Sequence, residues 1–323
     1  MTDAPPVRLM ILFPYSAKSP EVFEKLAVVL NDARAARHLH TSGEPPLLVI
    51  NKDSLEGYEK FRQSHPELEG TYLPHFVWAV DTCQMWLSGW GRILDENHDP
   101  DRKSPPDLGI LQVPGDLTEI RSKDPREREP LTEFLGRLKA MRQRLQDADF
   151  VLGDFEVAPE QAKQLIDTYG TFPLLYNWFP QVARELRRRH IDRPRSEFLA
   201  VSTKFLESFT KTGFRKFAYE QTLVLLIHAI RDRGWEIARE AIGIIGDYGG
   251  DRGFREATDQ IERTERVLKL LWRESKGMGE KNLNFPVREF EYRDARSTAI
   301  RRNAMICCQN FLDPTGSDDG SGN

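Results

Sequence analysis

"VRLMILFPYSAKSPEVFEKLAVVLNDARAARH", Val7 to His38, is the stretch that decides the fold class. Val7 to Tyr15 is a short, nearly continuous apolar run, the pattern of a strand covered on both faces. A helix follows. Ser19 stands at a capping position, Pro20 at a first helical position, and Val22, Leu26, Val29 and Leu30 recur on one helical face. A second strand, "PPLLVINKDS" (Pro45 to Ser54), then ends in polar residues. Strand, helix, strand in that order predicts a parallel sheet joined by a right-handed crossover, and hence an α/β fold.

Working outward, "FVWAVDTCQMWLSGWGRILDE" (Phe76 to Glu96) reads as a helix, with Val80, Cys83, Leu87 and Trp90 near helical spacing. Trp78, Trp86 and Trp90 are then expected in the core, with sugar stacking as the other use of such rings. "LGILQVPGD" is the next strand, "REREPLTEFLGRLKAMRQRLQDA" the next helix, and "DFVLGDFEV" a strand ending on Asp154 and Glu156. The second half is mostly helical. "YEQTLVLLIHAIRDRG" is a buried helix closed by Gly234, in which His228 reads as a core histidine, and "WEIAREAIGIIGDY" holds a short strand. "REATDQIERTERVLKLLWRES" is a long amphipathic helix whose Ile261, Val267, Leu268 and Leu271 serve packing or a homodimer contact. The tail, residues 313–323, has a disordered composition.

The 323 residues are 39% hydrophobic and 30% charged, with a formal net charge of -4, which excludes a general nucleic-acid surface. Cys83, Cys307 and Cys308 have neither metal-ligand nor disulfide-framework spacing, so a reducing cytoplasm is expected. "MTDAPPVRLM" lacks the pattern of a signal peptide, and no apolar run approaches the roughly 18 residues of a membrane span.

The predicted strands carry acids at their carboxyl ends: Asp53 after Ile50, Asp116 after Val113, and Asp154 with Glu156 after Leu152. Ligands of open α/β sheets bind at such ends. Asp116 is either a turn residue or a ligand contact. Asp53 and the Pro14–Tyr15 turn divide in the same way between packing and nucleotide contact. Asp81 reads as a solvated or capping acid, or as a site residue. Glu220 is either a first-turn acid favoured by the helix dipole or a general base. "RELRRRHIDRPRSEF" (Arg184 to Phe198) is the densest basic stretch. Arg187, Arg188 and Arg189 suit a water-facing helix end. Arg193 and Arg195 flank Pro194 in a loop, where a guanidinium fork suits phosphate or carboxylate.

Known cofactor motifs are missing. The turn "FPYSAKSP" has no glycine, so it is no G-x-G-x-x-G cradle, and neither a P-loop nor a G-x-S-x-G elbow occurs.

In order, these segments resemble the nucleotide-sugar-dependent glycosyltransferases of the GT-A fold. The nearest branch is that of polyprenyl-phosphate sugar synthases and glucosyl- or mannosyl-glycerate synthases. "ILFPYSAKSPEV" matches that family's first strand end, "VINKDS" its second, "WAVDTCQMWL" its Asp-bearing helix, and "LQVPGDL" its D-x-D strand end. "ADFVLGDFE", "RPRSEFLAV" and "FAYEQTLVLLI" follow in the family's order. The chain departs from the pattern at Pro114 for the first Asp of D-x-D, at Glu197 for the acceptor-loop glycine, and in lacking a late His near Ile245.

The resemblance implies a mostly parallel, Rossmann-type sheet flanked by helices, with a helical C-terminal extension. Residues 1–160 would form the donor half, 161–255 the acceptor half and 256–312 the extension. Pro14, Tyr15, Asp53, Asp81, Gly115 and Asp116 would meet the nucleotide-diphosphate sugar. Asp116 would hold a divalent Mg or Mn ion. Arg193, Arg195, Ser196 and Glu197 would meet a small or phosphorylated acceptor, and Glu220 with Asp154 would be catalytic. Two alternatives stand beside glycosyl transfer. One is a non-catalytic nucleotide-sugar-binding protein; the other is a nucleotidyltransferase-like enzyme, which ordinarily has a glycine-rich first loop.

Overall fold

A computed structural model of the chain describes residues 5–14, 20–80, 82–98, 108–117, 119–121, 130–157, 165–211, 220–231, 234–247, 254–276 and 286–312. The chain divides into two compact units. Residues 1–158 and 189–250 form the first; 159–188 and 251–323 form the second. Residues 161–188, expected in the acceptor half, thus group with the C-terminal helices.

The first unit is built on one eight-stranded sheet: β1 (Val7–Leu12), β2 (Leu47–Asn51), β3 (Leu73–Val77), β4 (Gly109–Pro114), β5 (Glu119–Arg121), β6 (Phe150–Val157), β7 (Leu199–Ser202) and β8 (Ile237–Asp247). The spatial order is β3-β2-β1-β4-β7-β6-β8-β5. Only β7 and β5 run antiparallel to their neighbours. Both faces are covered, as the continuous apolar runs require. On one face α1 (Pro20–Ala36), α2 (Leu55–Ser64) and α4 (Pro130–Arg144) supply Phe23, Leu26, Phe61, Phe134 and Leu138 to a core shared with Leu9, Ile11, Ile50 and Val113. On the other lie α3 (Thr82–Asn97) and the helices Thr203–Thr210 and Gln221–Arg231. Gly89 of α3 lets that helix lie close: a Cβ there would stand 2.6 Å from Met10 Sδ and 2.9 Å from Val49 Cγ2. Phe205 packs edge-on against Phe150, and His228 is buried between Phe205 and Phe209, the core position expected of it.

Four expectations are corrected. The predicted helix from Phe76 begins only at Thr82, and its first residues complete the edge strand β3. Trp86 and Trp90 are core, but Trp78, beyond the end of β3, is 73% exposed. The short strand in "WEIAREAIGIIGDY" is the 11-residue β8, hidden by its adjacent charges Arg239 and Glu240 and by Gly243, whose φ of 117° sits at a bulge against β6. No loop follows Leu152, because β6 continues to Val157 with Asp154 and Glu156 inside it.

The second unit is helical. A π-type stretch, Ile166–Thr171, runs into Phe172–Trp178. Pro180–Arg188, Phe254–Ser275 and Val287–Leu312 complete its described helices. Trp178 stacks obliquely on Trp272, and its Nε1 donates to Ser297 Oγ at 3.1 Å. Ile261, Val267, Leu268 and Leu271 are all buried, so the amphipathic stripe serves packing. The expected disordered tail, residues 313–323, lies outside the described residues. Among the described residues no helix is long and apolar enough to cross a membrane.

Candidate functional site

The direction of the chain singles out one place on the sheet. From β1 it steps outward to β2 and β3, then returns to lay β4 on the other side of β1. At such a reversal in an open α/β sheet, ligands bind in the crevice outside the strands' carboxyl ends, here those of β1 and β4. The two strands are parallel, with Leu12 opposite Pro114, so Pro14 and Asp116 follow at matching levels.

This register explains "VPGD". Pro114 has no N–H and closes the β4 ladder. Gly115 comes next because a Cβ there would lie 2.3 Å from the Leu12 carbonyl oxygen and 3.3 Å from Pro14 Cδ. Its missing side chain lets the two strand ends touch. The space beside it, about 10 Å³ and lined by Ile11, Val113, Leu117 and Phe134, has room for about one water at most. Gly115 is therefore a packing device, and Asp116, half-buried, is the first polar side chain to emerge from β4.

At β2 the strand end is fixed by Asn51. Its Nδ2 donates to the Ala79 carbonyl at 2.7 Å, tying β2 to the end of β3, and its Oδ1 accepts from the Asp53 amide at 3.2 Å. Asp53 is thereby held exposed at the strand end. Beside it Lys52 Nζ stands 5.0 Å from the centre of the Trp78 ring, a cation–π pair at the same edge of the sheet.

On the β6 side the site is a set of buried ion pairs. The Asp154 carboxylate, 2% exposed, accepts from Arg239 Nε at 2.6 Å and from the amides of Arg193 and Asp192 at 3.0 and 3.3 Å. Burial raises its pKa above the usual carboxylate value, against the pull of Arg239. Arg193 Nε donates to the Phe155 carbonyl at 3.3 Å. Ser196 is locked: its hydroxyl donates to the Gly153 carbonyl at 2.5 Å, and its carbonyl accepts from Thr222 Oγ1. The Glu197 carbonyl accepts from Gln112 Nε2 at 3.0 Å, and Gln112 Oε1 accepts from the Trp90 indole N–H. Arg195 Nη1 stands 3.5 Å from Glu220 Oε1. Glu220 itself is no first-turn acid. It precedes the helix Gln221–Arg231 with φ of 57°, a left-handed conformation that costs a non-glycine residue on the order of 1 kcal/mol.

The structure thus groups Arg193, Arg195, Ser196 and Glu197 on one loop with Asp154 beneath it, and Pro14, Gly115 and Asp116 at the β1–β4 ends. Tyr15 and Asp81 lie outside the described residues. Among the described residues no three His, Cys, Asp or Glu side chains come together as a metal site. Asp116 offers one hard carboxylate ligand, and Mg²⁺ is commonly held by one or two carboxylates, with substrate phosphates and water supplying the rest. Sequence reasoning missed Arg239, because the strand carrying it was read short, and Lys52 with Trp78, because Trp78 was counted into a helix.

No family model matches the chain, and no curated protein matches it. Among solved structures it is similar to the 4-diphosphocytidyl-2C-methyl-D-erythritol synthase of Anaerococcus prevotii DSM 20548, at 12% identity and a TM-score of 0.36. The alignment covers 83% of this chain and 100% of that one. At that score neither fold nor activity passes from one chain to the other.

Proposed function

We propose that the first unit binds a nucleotide-diphosphate sugar across the carboxyl ends of β1 and β4, and that the chain transfers the sugar to a small or phosphorylated acceptor. One observation supports this above the rest: the reversal of strand order falls between the two strand ends that carry Pro14 and Asp116. Asp53 and the exposed Trp78–Lys52 pair flank the same edge, offering a carboxylate for hydroxyls and a ring for a base. In transfer, the acceptor oxygen bonds to the anomeric carbon as its bond to the diphosphate breaks, and the acceptor proton passes to a base. Glu220 is the candidate base, held in place by Arg195. Asp154 is too deeply buried for that role and instead anchors the loop bearing Arg193 and Arg195.

A second reading, non-catalytic binding of the same ligand, is favoured by the pairing of both candidate carboxylates with arginines. Thermal-shift titration with UDP-, GDP- and ADP-sugars tests the site. A ligand at about 100 times its Kd should add about 2.7 kcal/mol of stability. No shift with any of them overturns both readings. A shift without release of nucleoside diphosphate, with acceptors such as glycerate and sugar phosphates present, favours the second.

A further inference from the structure

A groove away from the β1–β4 crevice lies between α2 and the edge strand β3. It encloses about 590 Å³, within the range of small-ligand sites. Phe76, 41% exposed, meets the ring of Tyr58 edge-on at 5.5 Å, and Tyr72 adds a third aromatic wall. An exposed phenylalanine beside a groove is not explained by the core beneath it.

The polar lining narrows the ligand. Arg62 interacts with Glu59 at 3.3 Å and with Glu69 at 3.8 Å, and lies 6.0 Å from the Tyr58 ring centre, so its charge is compensated within the groove, while His65 in the same lining meets Glu67 at 3.1 Å. That disfavours a phosphate or other anion. The Tyr72 hydroxyl donates to that of Tyr58 at 3.4 Å, and burial pushes the Tyr72 phenol up, keeping it uncharged. What remains around the rings is a mixture. The carboxylates only accept, the guanidinium only donates, and Gln63 and His65 do both. A proline-rich peptide offers mainly carbonyl acceptors and brings the carboxylates no further donor. Sugar hydroxyls both donate and accept, carry no charge, and stand on rings with an apolar C–H face.

We infer that this groove is a binding site for a neutral saccharide, with Phe76 as its stacking platform and Gln63 and Arg62 as hydrogen-bonding partners. The inference stands without the donor reading, since it involves neither nucleotide nor the β1–β4 ends.

Calorimetric titration of the full chain with cellotriose, maltotriose and mannotriose, without nucleotide, tests it. At least one should bind saturably. Phe76→Ser should weaken that binding by about tenfold or more with little change in Tm, because the ring is already partly exposed. Gln63→Ala, on the exposed face of α2, should weaken it too. Absence of binding by all three sugars overturns the inference, as does equal binding in both variants. Binding of a polyproline peptide or of spermidine in place of the sugars, lost in Phe76→Ser, also overturns it.

Discussion

The Arg195 guanidinium and the Glu220 carboxylate stand 3.5 Å apart, with side-chain exposures of only 7% and 8%. Twenty-five positions separate them in the chain, and Glu220 holds a left-handed backbone to reach its place. Two residues expected to meet different groups of an acceptor, one its anion and one its proton, are thus paired with each other. Removing one partner leaves the other charge buried, which costs about 3–5 kcal/mol in well-paired cases. At this longer separation Arg195→Ala and Glu220→Gln should each destabilise by about 2–4 kcal/mol. Urea denaturation of the double variant should then give less than the sum of the two. Strict additivity would show that the groups are not coupled.

Arg8 poses the same problem near the start of β1. Its side chain is buried in a parallel strand, where it donates to the Pro45 carbonyl at 3.0 Å and pairs with Glu96 of α3. Burial favours the neutral form of Glu96, but Arg8 and Arg92 overcome it and hold the carboxyl below its ordinary value. An acid lowered in the folded state stabilises above its unfolded pKa, and that stability is lost as pH falls through the folded one. Glu96→Ala should cost about 2–4 kcal/mol at pH 7. Glu96→Gln should remove part of the loss of stability seen in acid below pH 4.5, the ordinary value of the group. An unchanged acid limb in that variant would place the coupling elsewhere.

His40 sets a second pH limit. Its Nδ1 accepts the Leu9 amide proton at 3.1 Å, which only a neutral ring can do. Burial lowers its pKa below 6.5, and Arg8 and Arg37 add to the effect. The unfolded chain then takes up the proton first, so stability falls as pH drops below about 6.5, by at most about 1.4 kcal/mol per pH unit for one group. His75, lowered chiefly by burial, acts in the same direction. His40→Gln keeps an acceptor for Leu9 without a titrating ring. Chemical denaturation between pH 7.5 and 5.5 should show a shallower slope in that variant, with the part due to His75 remaining.

How much of this was legible depends on where each residue's environment comes from. β1, β2, β4 and β6 are apolar runs because helices cover both faces, and their periodicity stands in the sequence itself. β3 is an edge strand, partly exposed and carrying Pro74 and His75, so it has no such run. β8 carries the adjacent charges Arg239 and Glu240 among apolar residues because β6 and α4 supply their partners from afar. The strand ends Pro14, Asp53 and Asp116 were legible for the same reason as their strands. The pairings Arg239–Asp154 and Arg195–Glu220 were not, since each joins segments whose meeting depends on strand order, which local pattern does not encode.

The β1–β4 junction allows scaffold and site to be separated by neighbouring substitutions. Gly115→Ala would place a methyl 2.3 Å from the Leu12 carbonyl oxygen, a backbone atom in the middle of a paired strand end. It cannot rotate away as a side chain can, so β1 and β4 must part at the level of Pro14 and Pro114. Overpacking of this kind costs about 1–3 kcal/mol, and the upper end is expected here. Asp116 is half-buried and lies beyond the last paired residue of β4. Asp116→Asn keeps its shape and should stay within about 1 kcal/mol of the parent. The two variants should therefore differ in kind. Gly115→Ala should lower Tm and weaken nucleotide-sugar binding together, whereas Asp116→Asn should keep its Tm and lose the ligand-induced shift. If Asp116→Asn retains the full shift, the donor does not meet β4. If Gly115→Ala is as stable as the parent, the two strand ends are not in contact as described.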